Sequence, residues 1–120
     1  MANSATLIKN GISEVVYRFV NDSSTPASMT VTLASLARAD QAIVGTPTVG
    51  ISNLSFNADS GSNIKILRNS VLEYFLTGTG EHTAAYATDY QNSTSDIVVT
   101  MGAGTLIMRL SKGSEYVQSA

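Results

Sequence analysis

Apolar and polar residues alternate in short runs along this chain, and clusters of Gly, Asn, Asp, Ser and Pro separate one run from the next. Ser28-Met29-Thr30-Val31-Thr32-Leu33 shows the pattern most clearly. Every second side chain is apolar, the period of a strand with one buried face. Sheet, rather than helix, is what such a chain can build.

The runs follow one another at intervals of about ten residues, the spacing of a sandwich or small barrel. Over 12–20, Val15, Tyr17 and Phe19 share one face, and Glu14, Val16, Arg18 and Val20 the other. Asn21 to Pro26 is a turn cluster, since Asn and Asp tolerate tight turns and Pro26 cannot donate to a central ladder. A strand over 28–34 follows. Leu33, Leu36 and Ala37 then have helical spacing, and 33–42 reads either as a turn of helix or as an irregular crossover between sheets. In 48–56, Val49 and Ile51 have one parity and Leu54 and Phe56 the other. A β-bulge near Asn53 restores a common face, and a strand passing from one sheet to the other is the competing reading.

Residues 64–68 and 71–76 predict a hairpin across Asn69-Ser70. Residues 77–95 hold no sustained apolar period and read as irregular. Residues 95–101 and 105–111 predict a second hairpin, joined by Gly102-Ala103-Gly104, where glycine supplies positive φ angles. The fold expected is all-β, a small antiparallel β-sandwich of about seven strands with little helix. Residues 12–120 form its single domain, and residues 1–11 are either an N-terminal arm or the first edge strand. The alternation places Val15, Phe19, Val31, Leu54, Ile66, Leu72, Tyr74, Val99 and Met108 in the core.

Of the 120 residues, 13% are charged and 43% hydrophobic. Ordinary soluble domains carry about 25% charge. The polar remainder is Ser, Thr, Asn and Gly, which gives a neutral, hydroxyl-rich surface suited to permanent packing against other proteins. A secreted β-domain is the alternative. The net charge is −2, and the seven Lys and Arg residues are scattered singly, so no basic field for nucleic acid is expected. Cysteine is absent, which removes disulfide and thiolate chemistry. No run approaches the roughly 20 apolar residues of a membrane helix. Residues 1–10 lack the charged and apolar regions of a signal peptide, so a soluble protein made in the cytoplasm is expected.

Few residues offer chemistry. His82 is the single histidine and stands beside Glu81, but a triad also needs a nucleophile that the sequence does not supply, and a solvated loop histidine is the simpler reading. Asn57 to Asn63 superficially resembles a calcium loop, yet Asp59 is its one carboxylate, which favours an ordinary turn. Asn21, Asn53 and Asn92 begin glycosylation-type triplets that arise by chance in a chain this rich in Asn, Ser and Thr. No catalytic residue, cofactor, metal or small-molecule substrate is expected. Tyr86 and Tyr90 either present an aromatic surface to a sugar or partner protein, or cap the core with their rings. Leu7 and Ile8, apolar within a small-polar segment that ends at Gly11, are candidates for an arm laid along a neighbour's sheet edge.

The irregular N-terminus, the strands within 12–34, the entry Gly45-Thr46-Pro47-Thr48-Val49, the hairpin Ile64 to Leu76 with Arg68-Asn69-Ser70, and the ending Ser95-Asp96-Ile97-Val98-Val99-Thr100 together resemble small virion structural proteins of tailed bacteriophages, of marine cyanophage type. The resemblance spans roughly 12–112 and is one of pattern and length. It implies a β-sandwich of the capsid decoration or cement kind. The partners it implies are the major capsid protein and other copies of the chain, on the outside of the virion. A head-tail connector or tail component would look alike in sequence, and a carbohydrate-binding sandwich is the rival from a different class.

Overall fold

A computed structural model describes residues 3–23, 25–68, 71–83, 94–113 and 115–118. Among them the alternating runs form eleven strands in an all-β sandwich, with one 3-10 turn at Leu33–Leu36. Strands β1 (Asn3–Asn10), β2 (Glu14–Asn21), β10 (Gly104–Lys112), β5 (Val49–Ala58) and β8 (Thr79–Thr83) make a five-stranded sheet in that spatial order. A four-stranded sheet runs β3 (Ala27–Val31), β9 (Ile97–Met101), β6 (Ile64–Arg68) and β7 (Val71–Leu76). The pair β4 (Gln41–Ile43) and β11 (Tyr116–Gln118) is a third, small sheet. All pairings are antiparallel.

One core lies between the two large sheets. The five-stranded sheet contributes Val15, Phe19, Ile51, Leu54, Leu106, Met108 and Leu110, and the four-stranded sheet Val31, Ile64, Ile66, Ile97, Val99 and Met101, all buried. Burial of each such side chain is worth about 1.5–3 kcal/mol, and strict alternation is what directs them all inward. Register makes this explicit at β5. Arg109 pairs with Asn53 and Leu110 with Ile51, so Ser52 is the extra residue of a bulge that turns Val49, Ile51 and Leu54 to one side.

Three sequence expectations are corrected. Leu72 is exposed rather than in the core: Leu67 pairs with Leu72 but Ile66 with Tyr74, so a bulge at Glu73 turns Leu72 outward while Tyr74 still faces the core. Residues 95–101 and 105–111 are not a hairpin, because β9 pairs with β3 and β6 whereas β10 pairs with β2 and β5. The Gly102-Ala103-Gly104 joint therefore carries the chain from one sheet to the other. Residues 79–83, expected to be irregular, form edge strand β8. Of the two readings of 33–42, the turn of helix is the one found: a 3-10 turn buries Leu33 and Leu36, which its three-residue period places on one face, and β4 follows.

Candidate functional site

Glu81 and His82 are adjacent in sequence but lie on opposite faces of β8, since successive strand residues point to opposite sides. His82 is half-buried and packs on Tyr74 of the facing sheet, with ring centroids 5.3 Å apart. Glu81 faces outward and accepts a hydrogen bond from Ser55 Oγ at 3.1 Å. The two therefore do not assemble as an acid-base pair. The loop around Asp59 is a turn closed by the Ser62 N–H donating to the Asp59 carbonyl, with Gly61 at φ 82°. Among the described residues no group of three or more His, Cys, Asp or Glu is placed to share a metal ion.

Leu7 and Ile8 lie on β1, which pairs along β2 as the outer strand of its sheet. Both are exposed, and a register shift between Leu7 and Lys9 leaves Ile8 unpaired in the ladder. Tyr86 and Tyr90 lie outside the described residues.

Two cations that look like ordinary surface charges in the sequence are buried and hold the ends of the sandwich together. Arg68 donates from Nε and Nη2 to the Ser95 carbonyl and from Nη1 to the Val49 carbonyl, which ties β6 to the entry of β5. Burial lowers its pKa, against the opposing pull of Glu73 and Asp96. Lys112 Nζ donates to Gln41 Oε1 at 2.7 Å and to the Gly11 carbonyl at 2.9 Å, and Gln41 Nε2 donates to the Ile12 carbonyl. Burial pushes Lys112 below the usual lysine range; Arg38 adds to this and Asp40 opposes it. Tyr116 beside it donates its hydroxyl to the Leu33 carbonyl, and burial above all drives its pKa up to about 12. These groups position loops and hold no exposed reactive atom.

The surface that sequence reasoning missed is the outer face of the four-stranded sheet. Its cross-strand row Leu72, Leu67, Val98 and Thr30 runs beside a second row of Phe75, Lys65, Thr100 and Ser28. Leu72 is 49% exposed and Phe75 54%, with the Lys65 ammonium 5.8 Å from the Phe75 ring centre. Ser28 and Thr100 hydroxyls bond to each other at the polar side. An apolar centre with one cation and a hydroxyl rim is the composition of a contact surface. The signal in the sequence was Val71 to Leu76 itself, which is apolar at both parities and so supplies both faces.

No protein-family model, curated protein or solved structure matches the chain. Among the described residues no helix is long and apolar enough to cross a membrane.

Proposed function

We propose that this chain is a structural protein of a tailed-phage virion, a decoration or cement protein that binds the major capsid protein and neighbouring copies of itself on the capsid exterior. The observation that carries the reading is the Leu72, Leu67, Val98 and Phe75 surface on the four-stranded sheet, which holds large apolar side chains in water at a cost. A cement protein derives its free energy from burying such area across subunit joints and needs no reactive group. The low charge of the chain supports the same reading, since neutral hydroxyl-rich surfaces approach one another without long-range repulsion.

The test combines imaging and binding. A density map of particles from the phage that encodes the chain should show the sandwich on the capsid exterior, with β6, β7 and β9 against a neighbouring subunit. Particles lacking the protein should take up the purified chain, and the Leu72→Asp, Phe75→Asp double variant should fold normally yet fail to sediment with them. Density at the neck or tail would replace decoration by the connector reading. Complete absence of the chain from particles would overturn the proposal.

A further inference from the structure

The outer face of the five-stranded sheet carries a separate feature, a shallow groove of about 530 Å³ that crosses β10, β5 and β8. We infer that this groove is a binding site for a neutral carbohydrate. Strand alternation builds it from two cross-strand rows, Thr105–Asn57–Thr79 and Ile107–Ser55–Glu81. The inward register that buries Leu106 and Met108 completely turns Ile107 out, where it is 42% exposed.

A sugar ring presents an apolar C–H face inside a rim of hydroxyls, and the groove has the complementary layout. Ile107 supplies the aliphatic surface, while the Phe56 ring belongs to the opposite, core-facing side of β5. Around Ile107 stand the side-chain oxygens of Ser55, Asn57, Thr79, Glu81 and Thr105.

Two internal hydrogen bonds fix the polar groups before a ligand arrives. Thr79 Oγ1 donates to Asn57 Oδ1 at 2.8 Å, so the amide is held through its oxygen and its Nδ2 protons are kept for a ligand. Ser55 Oγ donates to Glu81 Oε2, which leaves Oε1 as an acceptor. A donor and an acceptor held on adjacent rows suit neighbouring sugar hydroxyls, each of which both donates and accepts. Preorganisation of this kind lowers the ordering cost of binding. Among the described residues none that lines the groove is a lysine or arginine, and the Glu81 carboxylate repels anions. Phosphorylated and sialylated sugars are thereby disfavoured.

The groove and the Leu72 and Phe75 surface lie on different sheets, so the two proposals fail independently. Titration of the isotope-labelled full chain with maltose, cellobiose, lactose and N,N′-diacetylchitobiose, followed by nuclear magnetic resonance, is the test. At least one neutral disaccharide should give saturable shifts in the millimolar range, centred on the amides of 55–57, 79–81 and 105–107. Glu81→Ala and Ile107→Asp, both at exposed positions, should leave the melting temperature unchanged and weaken that binding by about tenfold or more, because each removes one half of the layout. Sialyllactose should bind more weakly than lactose. Absence of saturable shifts with all four sugars, equal affinity for sialyllactose, or unchanged binding by both variants would each overturn the inference. So would binding of an alternating Val-Thr peptide at these amides without any sugar response.

Discussion

Gly104 lies against the backbone of β5 so closely that a Cβ at residue 104 would stand 2.4 Å from the Asn57 carbonyl oxygen and 3.0 Å from the Ala58 Cα. Its φ of 151° is also one that residues with side chains rarely adopt. Both constraints arise where the chain leaves β9 of one sheet and enters β10 of the other.

Replacing Gly104 by alanine should therefore destabilise the protein by about 2–4 kcal/mol, the combined effect of backbone strain and overpacking against atoms that cannot swing aside. Urea unfolding of Gly104→Ala beside Gly45→Ala separates the two contributions. Gly45 has φ 85° but nothing within 4 Å of the place a Cβ would occupy, so its cost should be the strain alone, about 1 kcal/mol. Equal midpoints for the two variants would show that β10 shifts to make room.

Arg68 makes a second testable contribution. Its guanidinium serves two carbonyls, that of Ser95 ahead of β9 and that of Val49 at the start of β5. Arg68→Met keeps the length of the side chain but leaves both carbonyls without that donor, and should cost about 2–4 kcal/mol. Arg68→Lys should recover only part of this, because an ammonium on a flexible stem does not reproduce the planar fork. Full recovery by lysine would mean that charge alone matters at this position.

The two bulges show where the sequence was informative. At β5, Val49 and Ile51 break parity with Leu54 and Phe56, and the flanking polar residues make that break visible as an inserted residue. At β7 every position but Glu73 in Val71 to Leu76 is apolar, so an inserted residue leaves no break to read, and Leu72 looked like core. Gly102-Ala103-Gly104 was ambiguous for another reason: glycine meets the needs of a tight hairpin and of a corner between sheets alike. Strand β8 has Gly80 and His82 as its inward residues and so lacks an apolar period. Leu7 and Ile8 stood out as apolar residues within a small-polar segment, but the groove joins Ser55 and Asn57 to Glu81 and Thr79 through a pairing that periodicity does not encode. The buried roles of Arg68 and Lys112 likewise depend on acceptor oxygens brought from distant parts of the chain.

The β7 bulge itself can be tested by truncating its two neighbours. Leu72→Ala should change stability by no more than about 0.5 kcal/mol, whereas Ile66→Ala, at a fully buried position, should cost about 2–5 kcal/mol. Chemical denaturation of the two variants measures the difference directly. A large loss on truncating Leu72 would place that side chain in the core and remove the apolar surface from the outer face of the sheet.

Alkaline pH should weaken the fold through Tyr116. The Tyr116 hydroxyl is a donor to the Leu33 carbonyl, and its pKa is raised from 10.0 to about 12, chiefly by burial with Glu115 and Asp96 adding to it. Between those values the unfolded chain has lost the phenolic proton while the folded chain keeps it, so the unfolded state binds fewer protons and stability falls as pH rises. Lys112 contributes the opposite slope, because a lysine whose folded pKa is lowered is penalised while charged in the fold, and that penalty is relieved as pH climbs towards 10.5. The two windows are offset, with Lys112 acting below 10.5 and Tyr116 above 10.0. Urea midpoints of the wild type should therefore decline from pH 10.5, where the Lys112 contribution ends, towards 12, and Tyr116→Phe should abolish that decline. At neutral pH the same variant should be less stable by about 1 kcal/mol, since the Leu33 carbonyl loses its donor. A phenylalanine variant that declines as steeply as the wild type would assign the alkaline loss to other groups.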